Sequence, residues 1–173
     1  MDEITLLALA ARHGDASAAT AFVRATQADV WRLCAHLGSR ASADDLTQET
    51  YARAFASLHR FQGRSAARTW LIAIARHVCA DAVRSAMRLR SLPPSDDVAP
   101  DHAESVALTD LLDALDADRR EAFVLTQLVG LSYAEAADVC DCPVGTIRSR
   151  VARARADLVD AFGSETAEAR STG

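Results

Sequence analysis

The chain has 173 residues and a mass of 18.5 kDa; at ~100 to 200 residues per domain this means one ordinary domain or two small ones and excludes a large multilayer enzyme fold. It is 50% hydrophobic and 25% charged, too apolar for general disorder, and only seven glycines and four prolines interrupt an Ala- and Leu-rich sequence, a balance that favours helices over a turn-rich sandwich or barrel. The formal charge of −5 does not exclude nucleic acid as a partner, because binding to a polyanion depends on the local patch.

No run reaches the ~18 consecutive apolar residues of a membrane span, and Met1-Asp2-Glu3 is unlike the basic start of a signal peptide, so a cytoplasmic chain without membrane insertion is expected. Ile4, Leu7 and Ala11 fit a short first helix ending at His13-Gly14-Asp15. Phe22, Thr26, Val30, Leu33 and Leu37 recur at steps of three and four and give a second helix one apolar face up to Gly38. Ser42-Ala43-Asp44-Asp45 reads as a capping box opening a third helix, with Leu46, Thr50, Ala54 and Leu58 on one side. Phe61-Gln62-Gly63-Arg64-Ser65 breaks the pattern. A fourth helix then places Trp70, Ile74, Val78 and Ala82 on one face and ends in Arg84, Arg88 and Arg90. Residues 1–90 are therefore expected to form one compact helical domain.

Residues 91–104 hold three of the four prolines together with Asp96, Asp97, Asp101 and Glu104, and no helical stripe survives there. They read as an acidic linker of intermediate stiffness. A second small helical domain is expected over 105–163. Val106, Leu108, Leu112 and Leu115 suggest its first helix, and Phe123, Val124, Gln127 and Leu128 a second that stops at Gly130. Ser132-Tyr133-Ala134-Glu135 is another capping box, opening a short helix through Val139. After Cys140-Asp141-Cys142, Pro143 suits a first helical position, and the last helix runs to about Phe162. Residues 164–173 are small and polar and are expected to fray. The fold class is thus all-α, two small helical domains joined by an acidic, proline-containing linker.

There is no lysine, and arginine supplies all 19 formal positive charges. It outnumbers acids by 12 to 8 over residues 1–90 and by 4 to 1 over 143–157, whereas acids outnumber it by 12 to 2 over 91–142. Two basic pieces flank an acidic one. Cys34 and Cys79 lie in apolar helical patterns and read as small buried hydrophobes. Cys140 and Cys142 form a lone C-x-C without a second close Cys or His pair, so no metal site and no cofactor are expected.

The chemistry sits in the last two helices. A short helix, a three-residue turn and a longer helix, with Ala136 and Ala137 where two helices approach, match a helix-turn-helix unit. On the second of these helices Ile147, Val151, Ala154 and Leu158 follow the core side. Ser149, Ala152, Arg153 and Ala156 point the other way, Arg148 lies between the faces, and Arg150 and Arg155 flank the core stripe within reach of phosphates. Small residues beside Arg suit a helix lying deep in the major groove, since a bulky neighbour would hold a guanidinium away from guanine O6 and N7. An Arg-rich bundle helix whose charges only solubilise it is the competing reading.

Three segments carry a resemblance: Asp44-Asp45-Leu46-Thr47-Gln48-Glu49-Thr50-Tyr51, Arg68-Thr69-Trp70-Leu71-Ile72-Ala73-Ile74-Ala75-Arg76, and Cys142-Pro143-Val144-Gly145-Thr146-Ile147-Arg148-Ser149-Arg150-Val151-Ala152-Arg153-Ala154-Arg155. In this order and at this separation they resemble the extracytoplasmic-function (group IV) sigma factors of bacterial RNA polymerase, a branch of the sigma-70 family, with a pattern like actinobacterial members of the sigma C type. The resemblance runs from about residue 5 to 162 and equates residues 1–90 with sigma region 2 and 105–163 with region 4.

It implies that Asp45, Gln48 and Glu49 dock on the clamp of the largest polymerase subunit. It implies that Arg64, Ser65, Arg68 and Thr69 take part in reading a partly single-stranded minus-ten element, with Arg76, Arg84 and Arg88 holding phosphates. Arg148, Ser149 and Arg153, supported by Arg150 and Arg155, become the minus-thirty-five readers. The linker would thread toward the RNA path of the enzyme. The partners implied are core polymerase, promoter DNA and, as is common in the family, an anti-sigma factor, with a place at the nucleoid. Ala152 stands where relatives often carry an aromatic residue, and His77 where many carry Asn. The alternative is an autonomous helix-turn-helix regulator whose N-terminal domain senses or dimerises. No nucleophile with a base, paired catalytic carboxylates or phosphate loop supports an enzyme.

Overall fold

The structure is a computed structural model that describes the backbone of residues 1–90 and 103–171 and the side chains of residues 1–89 and 108–162. The described residues contain helices and no strand, and they fall into two compact units. Most of the linker expected at 91–104 lies outside the described residues.

The first unit holds α1 (Glu3–Arg12), α2 (Ala16–Leu37), α3 (Ala43–Ser57) and α4 (Ala67–Arg90). Helix α2 packs against α1, α3 and α4, so its face of Phe22, Thr26, Val30 and Leu33 is buried as the spacing predicts. Leu46, Thr50, Ala54 and Leu58 are buried with it. Two faces differ from expectation. On α1 the buried residues are Thr5 and Ala8, because the helix also turns toward α4. On α4 the buried face is Leu71, Ile72, Ala75, Val78 and Cys79, leaving Trp70, Ile74 and Ala82 half-buried. The capping box expected at Ser42 does not form: the Ser42 hydroxyl bonds Ser39 Oγ at 2.6 Å, closing a single 3-10 turn, Arg40–Ser42, ahead of α3.

The second unit holds α5 (Ala103–Asp113), α6 (Ala117–Phe123), α7 (Tyr133–Cys140) and α8 (Val144–Ser171). Helix α6 continues into a π-helical segment, Val124–Leu128, whose widened turn is marked by Val129 N–H donating to Val124 O at 2.9 Å. That segment buries the consecutive residues Val124, Leu125 and Thr126 and leaves Gln127 exposed, off the face expected from its spacing. Leu111, Leu112 and Leu115 are buried and Leu108 is exposed, a face offset from the expected one. The second capping box does form: Glu135 N–H donates to Ser132 Oγ at 3.2 Å, and Ser132 N–H donates to Glu135 Oε2 at 2.8 Å. Asp141 takes a left-handed conformation with φ of 50° to turn the chain between α7 and α8. Helix α8 runs past the stop expected at Phe162, because a single Gly163 costs only about 1 kcal/mol inside a helix and the residues after it are helix-compatible. No helix among the described residues is long and apolar enough to cross a membrane.

Candidate nucleic-acid and polymerase interfaces

Helix α8 is anchored through Ile147, Val151 and Ala154, which are 0%, 1% and 0% exposed. Burying the two larger ones contributes roughly 1.5 to 3 kcal/mol each, enough to fix the rotation of the helix. That rotation leaves Arg148, Ser149, Ala152, Arg153 and Ala156 exposed. Arg148 and Arg153 form no hydrogen bond or ion pair among the described residues, and Ser149 Oγ donates back to Thr146 O at 2.9 Å. The remaining two arginines behave otherwise. Arg150 pairs with Asp118 at the start of α6, and Arg155 Nη2 donates to Gln127 Oε1 at 2.6 Å. Arg119 on α6 reaches Asp157 on α8 at 2.7 Å. One face of α8 therefore carries two unengaged guanidinium groups among small residues, while its flanks are tied to α6 and the turn after it.

In the first unit, Arg64 and Ser65 are exposed in the loop that joins the 3-10 turn Leu58–Arg60 to α4. Phe61 is buried and its ring lies 4.9 Å from that of Trp70, so Trp70 is half core and half surface. Arg68 is engaged: its Nη2 lies 2.7 Å from Asp29 Oδ2, and its Nε donates to the same oxygen at 2.8 Å. Thr69 is 6% exposed, which turns its side chain inward and away from the Arg64–Ser65 surface. Arg76 is half-buried farther along α4. Arg64 and Ser65 thus lie together at the surface, Arg68 is held beside them, and Thr69 stands behind.

On α3, Asp45, Gln48 and Glu49 are all exposed. Glu49 Oε1 accepts from Arg53 Nε at 2.7 Å, and Arg53 Nη1 also donates to Asp81 of α4 at 2.7 Å; this second bond, with a further one from Arg84, holds the Asp81 carboxyl below its usual range. Gln48 lines an open groove of about 600 Å³ with Gln27, Ala28, Trp31, Arg32, Asp44 and Thr47. Trp31 Nε1 donates to Asp44 Oδ1 at 2.8 Å, and the Arg40 guanidinium carbon sits 5.7 Å from the Trp31 ring centre. Asp29, Trp31 and Asp118 are contributors that sequence spacing did not single out, and Gln127 was read only as part of a helix face. Each acts through a partner on a different element, and no local pattern marks such a pair.

Two family models match this chain: "Sigma-70 region 2" over residues 22–89 and "Sigma-70, region 4" over residues 105–158. The ECF RNA polymerase sigma factor SigC of Mycobacterium tuberculosis is 53% identical over 170 residues, covering 91% of this chain and 90% of that protein. The chain belongs to the extracytoplasmic-function sigma factors of the sigma-70 family. More distant members include the ECF RNA polymerase sigma-E factor of Haemophilus influenzae, 31% identical over 89% of this chain and 93% of that one. Among solved structures, CnrH in complex with the cytosolic domain of CnrY matches with a TM-score of 0.79 and 28% identity over 94% of this chain and 99% of that chain. The sigma factor RpoE bound to the anti-sigma factor NepR, from Bartonella quintana, matches at 0.67 and 29% over 82% and 94%. A sigma factor directs promoter recognition and initiation by core RNA polymerase and performs no catalytic step of its own, which decides between the two readings left open by the helix-turn-helix unit alone.

Proposed function

We propose how this sigma factor divides the work among its residues. Residues 1–90 and 105–163 act as two DNA readers joined by the linker at 91–104. Arg148, Ser149 and Arg153 read the minus-thirty-five element in the major groove, and Arg150 and Arg155 set the height and rotation of the reading helix. Arg64 and Ser65 meet the unpaired minus-ten bases, Arg68 shapes the edge of that surface, and Arg76 adds charge toward phosphates. Thr69, being buried, supports the loop from within. Asp45 and Gln48 present the polymerase-docking face, with Glu49 held in register by Arg53. Linking two modules raises the effective concentration of the second to about the millimolar range, so each reader can be weak alone.

The observation that carries this reading is the sorting of the arginines on α8, two exposed and unengaged among small residues and two tied to the elements behind. Solved relatives are complexes with an anti-sigma factor or a cytosolic partner domain, which supports an anti-sigma partner for this chain as well. We place the protein at the nucleoid, with core polymerase. Run-off transcription from a promoter library, with core polymerase and with or without this chain, tests the assignment. Initiation that depends on the chain, and on Arg153 for the choice of minus-thirty-five sequence, is expected. Tight duplex binding by the chain alone, without initiation, would overturn it.

A further inference from the structure

Helix α1 lies outside the residues matched by the region 2 model, which begin at residue 22, yet it touches the Arg64–Ser65 loop at both ends. At the front of the loop, Arg12 Nη1 donates to the carbonyl oxygen of Phe61 at 2.8 Å, across 49 residues of sequence. At the back, Thr5 Oγ1 accepts from the backbone N–H of Ala67, in the first turn of α4, at 2.9 Å, and the same hydroxyl donates to Asp2 Oδ2 at 2.6 Å. Between these two points Gly63 adopts φ of 68°, and a Cβ there would stand 3.4 Å from Leu9 of α1. Three successive turns of one short helix thus meet the start, middle and end of the loop.

We infer that α1, through Thr5, Leu9 and Arg12, is a positioning element that sets minus-ten base discrimination without touching DNA. The inference rests on the reading of the Arg64–Ser65 loop as the minus-ten reader. The physical argument is geometric. A base reader discriminates only while its donors are held within a fraction of an ångström of the base edge. A loop pinned by its own backbone at both ends keeps Arg64 and Ser65 in one arrangement, whereas a loop released at Phe61 samples several. Released donors still bind, and they bind the wrong bases nearly as well as the right one. Thr5 is not a base reader in this account, since its hydroxyl is engaged by Ala67 N–H and Asp2, and Arg12 acts through the Phe61 carbonyl at the start of the loop.

The test uses holoenzyme, core polymerase with the full chain, on a promoter library randomised at the minus-ten element and, separately, at the minus-thirty-five element. The variants are Arg12→Ala, Arg12→Lys, Thr5→Val and Arg64→Ala. Arg12→Ala is expected to lower the preference for the best minus-ten base over the next by about fivefold, the low end of what one mismatched position carries, with the minus-thirty-five preference unchanged. Arg12→Lys, which keeps one donor for the Phe61 carbonyl, restores most of the preference. Thr5→Val gives a loss in the same direction and serves as the second measurement if Arg12→Ala folds poorly. If Arg64→Ala relaxes the minus-ten preference while Arg12→Ala and Thr5→Val only lower the melting temperature, α1 is a structural brace and the inference is overturned. If Arg64→Ala also leaves the preference intact, the loop is not the minus-ten reader, and the underlying reading falls first.

Discussion

Arg155 of α8 and Gln127 of the π-helical turn are joined by a 2.6 Å hydrogen bond across 28 residues of sequence. The bond links α8 to the segment where the described residues of the second unit widen into π-helical geometry. The arginines that share α8 thus differ in their bonding, Arg150 and Arg155 tied to other elements and Arg148 and Arg153 not. A guanidinium already bonded to the protein resists rotation toward a base, and under the proposed function Arg148 and Arg153, which make no hydrogen bond among the described residues, keep all five N–H donors for DNA.

Arg153→Ala is accordingly expected to cost about 1 to 3 kcal/mol of promoter affinity and to relax the preference at one minus-thirty-five position. Arg155→Ala should weaken all sequences alike, because it loosens the helix without removing a reader. Competition binding of holoenzyme to promoters varied at single positions separates the two. Equal relaxation by both variants would refute the division.

The docking face on α3 makes a separate prediction. Asp45→Arg should weaken binding to core polymerase about tenfold or more through like-charge repulsion with a basic partner surface, while the selected promoter sequence among surviving complexes stays the same. Titration of labelled chain with core polymerase reads the first effect. Normal core binding by the Asp45→Arg protein would remove Asp45 from the docking face.

The capping box at the mouth of the helix-turn-helix is testable by stability alone. Ser132→Ala removes the hydroxyl that accepts from Glu135 N–H and should destabilise the second unit by about 1 kcal/mol, whereas Ser42→Ala should cost α3 little, since Ser42 makes no side-chain cap to it. Urea unfolding of the full chain, followed by hydrogen exchange in each unit, distinguishes them.

What was legible in the sequence was whatever repeats at helical spacing. Ile147, Val151 and Ala154 announce the anchored side of α8 because three apolar residues at steps of four and three can only share a face, and the same holds for Leu46, Thr50, Ala54 and Leu58. Ser132 and Glu135 were legible for a related reason, a contact between residues three apart. The misses share the opposite property. The bond from Ala67 to Thr5 spans 62 residues, and the inward turn of α1 depends on where α4 lies. Ser42 looked like a cap and was captured by Ser39, a choice between two local partners of equal chemistry. The site was legible as a list of charged positions. The sorting of that list into side chains bonded within the chain and side chains left unengaged was set by Asp29, Asp118 and Gln127 on other elements.

The cysteines divide by burial. Cys34 and Cys79 are buried in the first unit, and the hydrogen bond between their thiols together with burial pushes the Cys79 thiol up, so it stays protonated and shielded. Cys140 and Cys142 are half-exposed at the turn before α8. Brief treatment of the native protein with a soluble alkylating agent should modify Cys140 and Cys142 and spare Cys34 and Cys79, as read by peptide mass spectrometry. Labelling of Cys34 at the rate of Cys142 would show that the core of the first unit opens readily.

Acid should loosen α1 by protonating the carboxylate that caps it. Asp2 caps this helix by accepting from the Thr5 hydroxyl at 2.6 Å and from Thr5 N–H at 2.9 Å, and the hydroxyl bond above all holds its carboxyl below the usual range. A carboxyl depressed on folding stabilises the native state at every pH above its unfolded value, and that contribution disappears as pH falls through the folded value. The window therefore lies at and below the ordinary carboxylate range, and neutral pH leaves the cap intact. Asp2→Asn retains an acceptor for Thr5 N–H and cannot ionise. The stability advantage of the native chain over Asp2→Asn should be full near neutral pH and shrink steadily on acidification into that window, as measured by paired thermal melts. A constant difference between the two proteins across the same range would show that the charge on Asp2 contributes nothing to holding α1, and with it Thr5, against α4.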